Sequence, residues 1–217
     1  MTKVKNGDFD QLKFVGRLKE DNKIFDLNDA DVAKKEGVYD PKARYAPLTV
    51  CVGKNDVVKG FDDALVGKEA KSKFSIELTP ENAFGKKDAK YFQLVSASKF
   101  KDSKMVPYPG LQVTINDTPG VVKTISGGRI LVDFNHPLAS KDVKYDVDIL
   151  KIVTDDAEKV AAIAEMHLGI RTPKVTVENG VAKLDHEFPE QFADAIGKSI
   201  IERVPSLKKV EFKKPQK

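Results

Sequence analysis

Side chains capable of covalent or metal chemistry are sparse in this chain and poorly spaced for it. Its three histidines, His136, His167 and His186, have no cysteine or acidic partner at ligand spacing. A structural or surface role therefore reads better for each, and no metal site is expected. No GxSxG occurs, and Cys51 has no histidine context, so no activated nucleophile is visible. The paired glycines of TISGGRI lie between two strand-like runs and read as a hairpin turn, not as a phosphate cradle opening a helix. The carboxylates look like surface residues with one departure, Asp26 in IFDLND, which is set between apolar neighbours and by pattern ends a strand. The stretch VVKGFDDALVG raises a different question. Val57, Val58, Phe61 and Leu65 share one face of a short helix, with Asp56 as its expected N-cap and Gly67 as its stop. Gly60 sits mid-helix at a cost of roughly 1 kcal/mol relative to alanine. Either this face is ordinary core, or something must lie closely against it.

These residues belong to a chain of 217, enough for one large domain or several small ones. A composition of 41% hydrophobic and 32% charged residues fits a globular protein with a core. The net charge of +4 permits weak contact with anionic partners without marking a nucleic-acid binder. The single cysteine excludes an internal disulfide framework, and its place in LTVCV reads as a buried strand thiol in a reducing compartment. MTKVKNGDFD has no apolar segment after its charges, and no run approaches the ~18 apolar residues of a membrane span. A cytoplasmic location without membrane contact is expected.

Hydrophobic spacing and turn residues then supply the elements. DQLKFVGRL and KIF, joined by the turn EDN, read as a strand pair, and DADVAKKEG as a short helix capped by Asp29 and ended by Gly37. YDPKARYAP leads into the strand LTVCV. After the VVKGFDDALVG helix, KSKFSIELT alternates Phe74, Ile76 and Leu78 with polar residues, as a half-buried strand does, and ends in the turn PENAFG. From Lys86 the texture changes: YFQLV, KF, MVPYPGLQVTI, GVVKTI and RILVDF are short β-like runs broken by proline and glycine. YDVDILKIV has no partner nearby in sequence and is expected back in the first sheet. Beyond Thr154, DDAEKVAAIAEMHLG reads as an amphipathic helix with Val160, Ile163, Ala164 and His167 or Leu168 on one face. KVTVENGVAKL is a hairpin turning at Asn179-Gly180, FPEQFADAIGKSIIERV a helix opened by Pro189, and LKKVEFKK a closing strand. This α-β-β-α-β order predicts helices packed on an antiparallel sheet.

The ordered series IFDL, PLTVCVGKNDVVKGFDDALVG and ENAFG resembles the FKBP-type peptidyl-prolyl isomerases. The spacing GxxxxVVxGFxxALxG, from Gly53 to Gly67, carries the resemblance most specifically. DFNHPLASKDVKYDVDI resembles the returning strand of the same fold. The segment between ENAFG and NHPLA resembles the insert-in-flap domain of the SlyD-like branch, and the C-terminal region that of the long archaeal members. Motifs carry the match over 1–85 and 134–153; the insert and the tail match by position and length. The implied fold is α+β: a half-wrapped antiparallel β-sheet around a short helix (1–85 and 134–153), an inserted small β-rich chaperone domain (86–133) and a C-terminal α-β-β-α-β domain (154–217).

The implied activity is rotation of X-Pro bonds in an apolar cavity, with no cofactor. In that register Phe61 is the floor aromatic, with Gly60 allowing close packing beside it. Val57 and Val58 lie on the rim, and Phe14, Phe25, Leu48 and Tyr145 are walls. Leu138 lies at the flap, Ala83 is a further substrate-binding residue, and Asp26 is the bordering carboxylate. Phe84 stands where many members carry a tyrosine whose hydroxyl meets the substrate, a departure that removes one hydrogen bond. Asp26, Phe61, Phe84 and Tyr145 form the expected catalytic set.

The insert implies a second role. Tyr91, Phe92, Leu94, Met105, Val106, Tyr108 and Leu111 crowd a unit too small to bury them all, and suit an adaptable surface for unfolded or nascent chains. The plainer reading makes them that unit's own core. Lys86, Lys87, Lys90, Lys99, Lys101 and Lys104 read as a solvated face, with ribosome contact the lesser alternative. No expected pocket residue falls beyond Thr154, and the C-terminal helices suggest an association surface, such as a homodimer contact. The rival to an isomerase is a non-catalytic chaperone or binding module that holds proline-containing chains in the same pocket.

Overall fold

In the computed structural model, residues 2–102 and 106–213 are described, so Met105 and Lys104 lie outside the described residues. The chain divides into two compact units, Met1–Glu77 with Val143–Lys217, and Leu78–Asp142. In chain order the elements before the division are β1 (Phe9–Leu18), β2 (Ile24–Leu27), α1 (Ala30–Lys35), β3 (Leu48–Cys51), α2 (Lys59–Leu65) and β4 (Lys73–Leu78). The second unit holds β5 (Phe92–Ser96), α3 (Ala97–Asp102), β6 (Gln112–Ile115), β7 (Thr118–Ser126) and β8 (Arg129–Asp133). The chain returns through β9 (Val143–Val153), α4 (Asp156–Leu168), β10 (Val175–Glu178), β11 (Val181–Glu187), α5 (Glu190–Arg203) and β12 (Lys209–Lys213).

β1 is the organising strand of the first unit. It pairs antiparallel with β2 and β3 along one edge and with β9 along the other, in a sheet ordered β2-β1-β9-β4. YDVDILKIV thus returns to the first sheet, as expected of a strand with no partner nearby in sequence. The pairing of β1 with β9 is irregular at one point. Leu12 opposes Ile149 and Gln11 opposes Lys151, which leaves Leu150 as the extra residue of a bulge. Up to Ile149 the odd residues of β9 oppose Leu12, Phe14 and Gly16; past the bulge Val153 opposes Phe9. The extra residue changes which side of the sheet those odd positions face, because side chains alternate with a period of two.

On one side lies α2, whose Phe61 and Leu65 are buried. Asp56 does not cap this helix; the N-cap position is Val58, with no side-chain cap bond. The Asp56 carboxylate instead accepts the Cys51 N–H at 2.8 Å and faces Arg203 at 2.7 Å and His167 at 3.0 Å. Charge-assisted partners on a buried carboxylate outweigh a cap. The preceding loop is organised by Asp62, which accepts from Gly53 N–H at 2.9 Å and Asn55 N–H at 3.0 Å. α1 is capped as the sequence predicts: the Asp29 side chain accepts from the N–H groups of Asp31 and Val32.

The other side meets the C-terminal elements. Phe9, Cys51 and Val153 share one core with Val160, Ile163, Ala182, Ile200, Val204 and Leu207. Residues from both regions are thus in the same compact unit. The β10–β11 hairpin turns at Asn179 and Gly180, both at positive φ (53° and 79°), as a type I′ turn requires. The all-antiparallel sheet expected here is corrected by β12, which runs parallel to β11. α5 carries the chain back across the sheet between the two strands, and such a crossover leaves them pointing the same way.

In the second unit β5-β8-β7-β6 form an antiparallel sheet over a core of Val95, Phe100, Val113, Val122, Ile130 and Val132. SGG is the β7–β8 turn. KF is not a β-like run: Lys99 and Phe100 lie in α3, where the Phe100 side chain drops into that core. Two residues between turn signals were too few for the period to distinguish helix from strand.

One buried group opposes the fold. Asp10, on β1 between Val50 and Ile152, is fully buried, and neither carboxyl oxygen has a hydrogen-bond partner among the described residues. Burial, and then the charge of Asp8, raise its pKa from 3.8 to about 7. The folded chain therefore keeps this proton up to near neutrality, whereas the unfolded chain releases it near its ordinary value. Stability from this group is greatest at low pH and falls as pH rises from about 4 to about 7. Asp10→Asn should match the wild type near pH 4 and exceed it near pH 8, by about 1–3 kcal/mol in urea unfolding. A variant equally destabilised at both pH values would show that the carboxyl is satisfied.

Candidate functional site

Gly16 is the point about which the site is built. Across the strands it opposes Asp26 on β2 and Tyr145 on β9. A Cβ at Gly16 would lie 2.8 Å from the Phe25 ring and 2.9 Å from the Tyr145 ring. Sequence reasoning missed this residue. The available signal was a lone glycine inside a strand, which marks a close approach.

The absent side chain lets the rings converge. Phe25 and Tyr145 meet edge to face at 5.6 Å, Phe14 meets Phe61 at 5.9 Å and Tyr145 at 6.1 Å, and Phe61 lies 4.9 Å from Tyr145. Such contacts contribute about 0.5–1.5 kcal/mol each beyond area burial. Phe61 is only 1% exposed, Phe14 and Tyr145 are buried, and Phe25 is half-buried. Four expected residues, from β1, β2, α2 and β9, thus form one aromatic cluster. Leu48 stands at the start of β3 opposite Leu12, and Val57 and Val58 are half-buried just ahead of α2.

The cluster changes the acids near it. Desolvation raises the pKa of Asp26, against the opposing effect of a hydrogen bond from the Leu27 backbone. The residue as a whole is exposed, so water screens the effect. Burial pushes the Tyr145 hydroxyl well above the usual phenol range, and the charge of Asp26 adds to the effect. Tyr145 is therefore a neutral phenol at ordinary pH. Burial likewise pushes the Cys51 thiol up to about 11, which leaves it inert.

A cleft of about 730 Å³ adjoins the cluster, bordered by Phe14, Asp26 and Leu48. Phe25, Phe61 and Tyr145 do not line it. Its far wall comes from Ala161, Ala162, Glu165 and Met166 of α4, a region where no pocket residue was expected.

The remaining expected residues lie in the second unit and are described there alone. Ala83 N–H donates to Pro80 O at 3.1 Å within the ENAFG turn. The Phe84 ring stacks on His136 at 4.9 Å with 4° between the planes, and Leu138 N–H donates to His136 Nδ1 at 3.2 Å. Among the apolar residues assigned to a client surface, Tyr91, Leu94, Val106 and Tyr108 are 44%, 64%, 82% and 58% exposed. Phe92 is half-buried, and Leu111 packs on the unit's own core. Lys86, Lys87 and Lys90 pair with Glu81, Asp133 and Asp88. Asp133 is buried; desolvation alone would raise its pKa, but hydrogen bonds from Lys87 and Asn135 hold it below the usual range. Among the described residues no group of three or more His, Cys, Asp and Glu could hold a metal ion, and no helix is long and apolar enough to cross a membrane.

A family model described as FKBP-type peptidyl-prolyl cis-trans isomerase matches residues 1–101, and one described as FKBP26, IF domain, matches residues 93–138. The chain is 38% identical over 112 residues to the probable FKBP-type 16 kDa peptidyl-prolyl cis-trans isomerase of Pseudomonas fluorescens, covering 49% of this chain and 73% of that protein. It is 26% identical over 155 residues to the short-type peptidyl-prolyl cis-trans isomerase of Methanocaldococcus jannaschii, covering 71% and 98%. To the FKBP-type peptidyl-prolyl cis-trans isomerase SlyD of Haemophilus influenzae it is 31% identical over 118 residues, covering 53% and 62%.

Gly16→Ala tests whether the ring cluster depends on the missing side chain. The methyl group meets two rings inside ordinary contact distance, so the variant should lose about 1–3 kcal/mol of stability. Urea unfolding and near-UV circular dichroism measure the loss and the displaced aromatics. Unchanged stability with an unchanged spectrum would mean the rings have room to spare.

Proposed function

Because the chain belongs to the FKBP-type peptidyl-prolyl cis-trans isomerase family, we propose that it rotates X-Pro bonds at the ring cluster of Phe14, Phe25, Phe61 and Tyr145 and receives unfolded clients on its inserted unit. The observation that carries the first half is the convergence of these four rings, two of them against Gly16, beside the Asp26 carboxylate.

Rotation about the amide breaks no σ-bond. The barrier, about 18–20 kcal/mol, is the amide resonance itself. Resonance separates charge, and water stabilises the planar, charge-separated form. An aromatic surface withholds that solvation, so the planar ground state loses more than the twisted state. Holding the flanking residues in place supplies orientation. In this scheme Phe61 is the floor, Phe14, Phe25 and Leu48 are walls, and Val57 and Val58 form the rim. Tyr145, a neutral phenol, offers a hydroxyl, and Asp26 borders the site. Uncatalysed exchange takes tens to hundreds of seconds. Adding the protein to an X-Pro peptide should speed exchange measured by NMR, and Phe61→Ala should reduce that effect while costing about 3–5 kcal/mol of stability. Unaltered exchange with a peptide that nonetheless binds would favour the alternative, a binding module without catalysis.

The client surface rests on the exposure of Leu94, Val106 and Tyr108, large apolar side chains left in water by a small core. A surface that gathers unfolded chain near a prolyl site raises the local concentration of its prolyl bonds. Replacing the three together by serine should lower catalysed refolding of a proline-limited protein several-fold more than turnover of a tetrapeptide. It should also end suppression of aggregation. An equal fall in both activities would make these residues part of the prolyl site.

A further inference from the structure

The cleft beside the ring cluster is built by two parts of the chain that share one core. On one side stand Phe14, Asp26 and Leu48, on the other Ala161, Ala162 and Met166 of α4. Its volume of about 730 Å³ falls in the range of clefts that hold ligands. Phe14, Asp26 and Leu48, all assigned to the prolyl site, line it, so a chain seated over the rings lies beside it.

The far wall is fixed. Asp56, with a side chain only 4% exposed, is held by Arg203 of α5 and His167 of α4, and Lys54 pairs with Glu202 at 2.8 Å. The same Asp56 accepts from the backbone of Cys51 and directly precedes the rim residues Val57 and Val58. Removing one partner from such a buried pair is strongly destabilising, so α4 does not swing freely from the site.

The lining also indicates what it takes. Arg44 is paired with Glu165, and Lys151 with Glu158 at 2.6 Å, which consumes the charges of four lining residues. Gln11 and Thr49 are cross-strand neighbours in the lining, both half-buried, and no described residue hydrogen-bonds to either side chain. An amide and a hydroxyl beside Met166, Ala161 and Ala162 match an extended polypeptide, whose main chain needs donors and acceptors and whose apolar side chain needs a neutral wall.

We propose that this cleft is a second substrate subsite, occupied by the extended stretch of client polypeptide that flanks the proline, and that the C-terminal domain selects substrates through α4. The identity of the occupant rests on the isomerase reading. The subsite prefers an apolar flanking residue.

Two measurements on the full chain test it. The first compares kcat/KM for a proline tetrapeptide with that for the same core extended on both sides by apolar-containing sequence. The wild type should favour the extended peptide, and Ala162→Trp, which fills the cleft, should cut that preference roughly tenfold, or ~1.4 kcal/mol. Met166→Asp should do the same by charging the wall. The second is NMR of the Ala161, Ala162 and Met166 methyl groups during titration of the wild type with the extended peptide; all three should shift, and the tetrapeptide should leave them in place. Tetrapeptide turnover with an unaltered preference in both variants, or methyl groups indifferent to the extended peptide, would overturn the subsite alone. Methyl shifts in a protein that turns over neither peptide would instead overturn the isomerase reading and keep the cleft as a peptide-binding site.

Discussion

Strand β1 is packed on both of its faces, and its register with β9 decides which residue meets which partner. Phe9 belongs to the core shared with the C-terminal elements, while Phe14, a few residues on, belongs to the ring cluster. A strand with strict alternation on both partners would leave Val153 on the same side as Ile149. The extra residue Leu150 moves Val153 into the shared core. One inserted residue therefore lets a single sheet serve the ring cluster on one side and the C-terminal elements on the other. The same double burial explains the stranded carboxyl of Asp10, which has no route to water from either face.

Electrostatics fasten what the bulge permits. A carboxylate as buried as Asp56 is unfavourable alone, and it becomes favourable only with good geometry and more than one partner. Arg203, His167 and the Cys51 N–H supply three. Because Asp56 leads straight into Val57, Val58 and α2, the bonds that hold the C-terminal helices also hold the segment that enters α2.

The inserted unit follows a different logic. Among the described residues its core is small, gathered around Val95, Phe100, Val122 and Ile130, and the sheet that carries it does not cover Leu94, Val106 and Tyr108. Its ionic partners are internal: Lys87 neutralises the buried Asp133, so this lysine belongs to the unit's own stability before it can serve an external partner.

Local pattern was enough for most elements. The alternation of KSKFSIELT, the Asp29 cap and the Asn179-Gly180 turn depend on a few adjacent residues, and each acts as its local chemistry dictates. Family spacing then placed Phe14, Phe25, Phe61 and Tyr145, which the fold does bring together. Other features were beyond the reach of a local reading. Asp56 looked like a cap because its charge partners lie more than a hundred positions away, on helices whose docking no local pattern encodes. The parallel pairing of β12 depends on where α5 returns the chain, and the role of Gly16 depends on two rings arriving from other strands. Most strands, helices and turns were legible in the sequence, because they follow from spacing and side-chain type, and the aromatic set was legible through the family motif; a run as short as KF was not. Only the tertiary structure decided the register, the charge partners and the wall contributed by α4, because these are settled by long-range packing among distant segments.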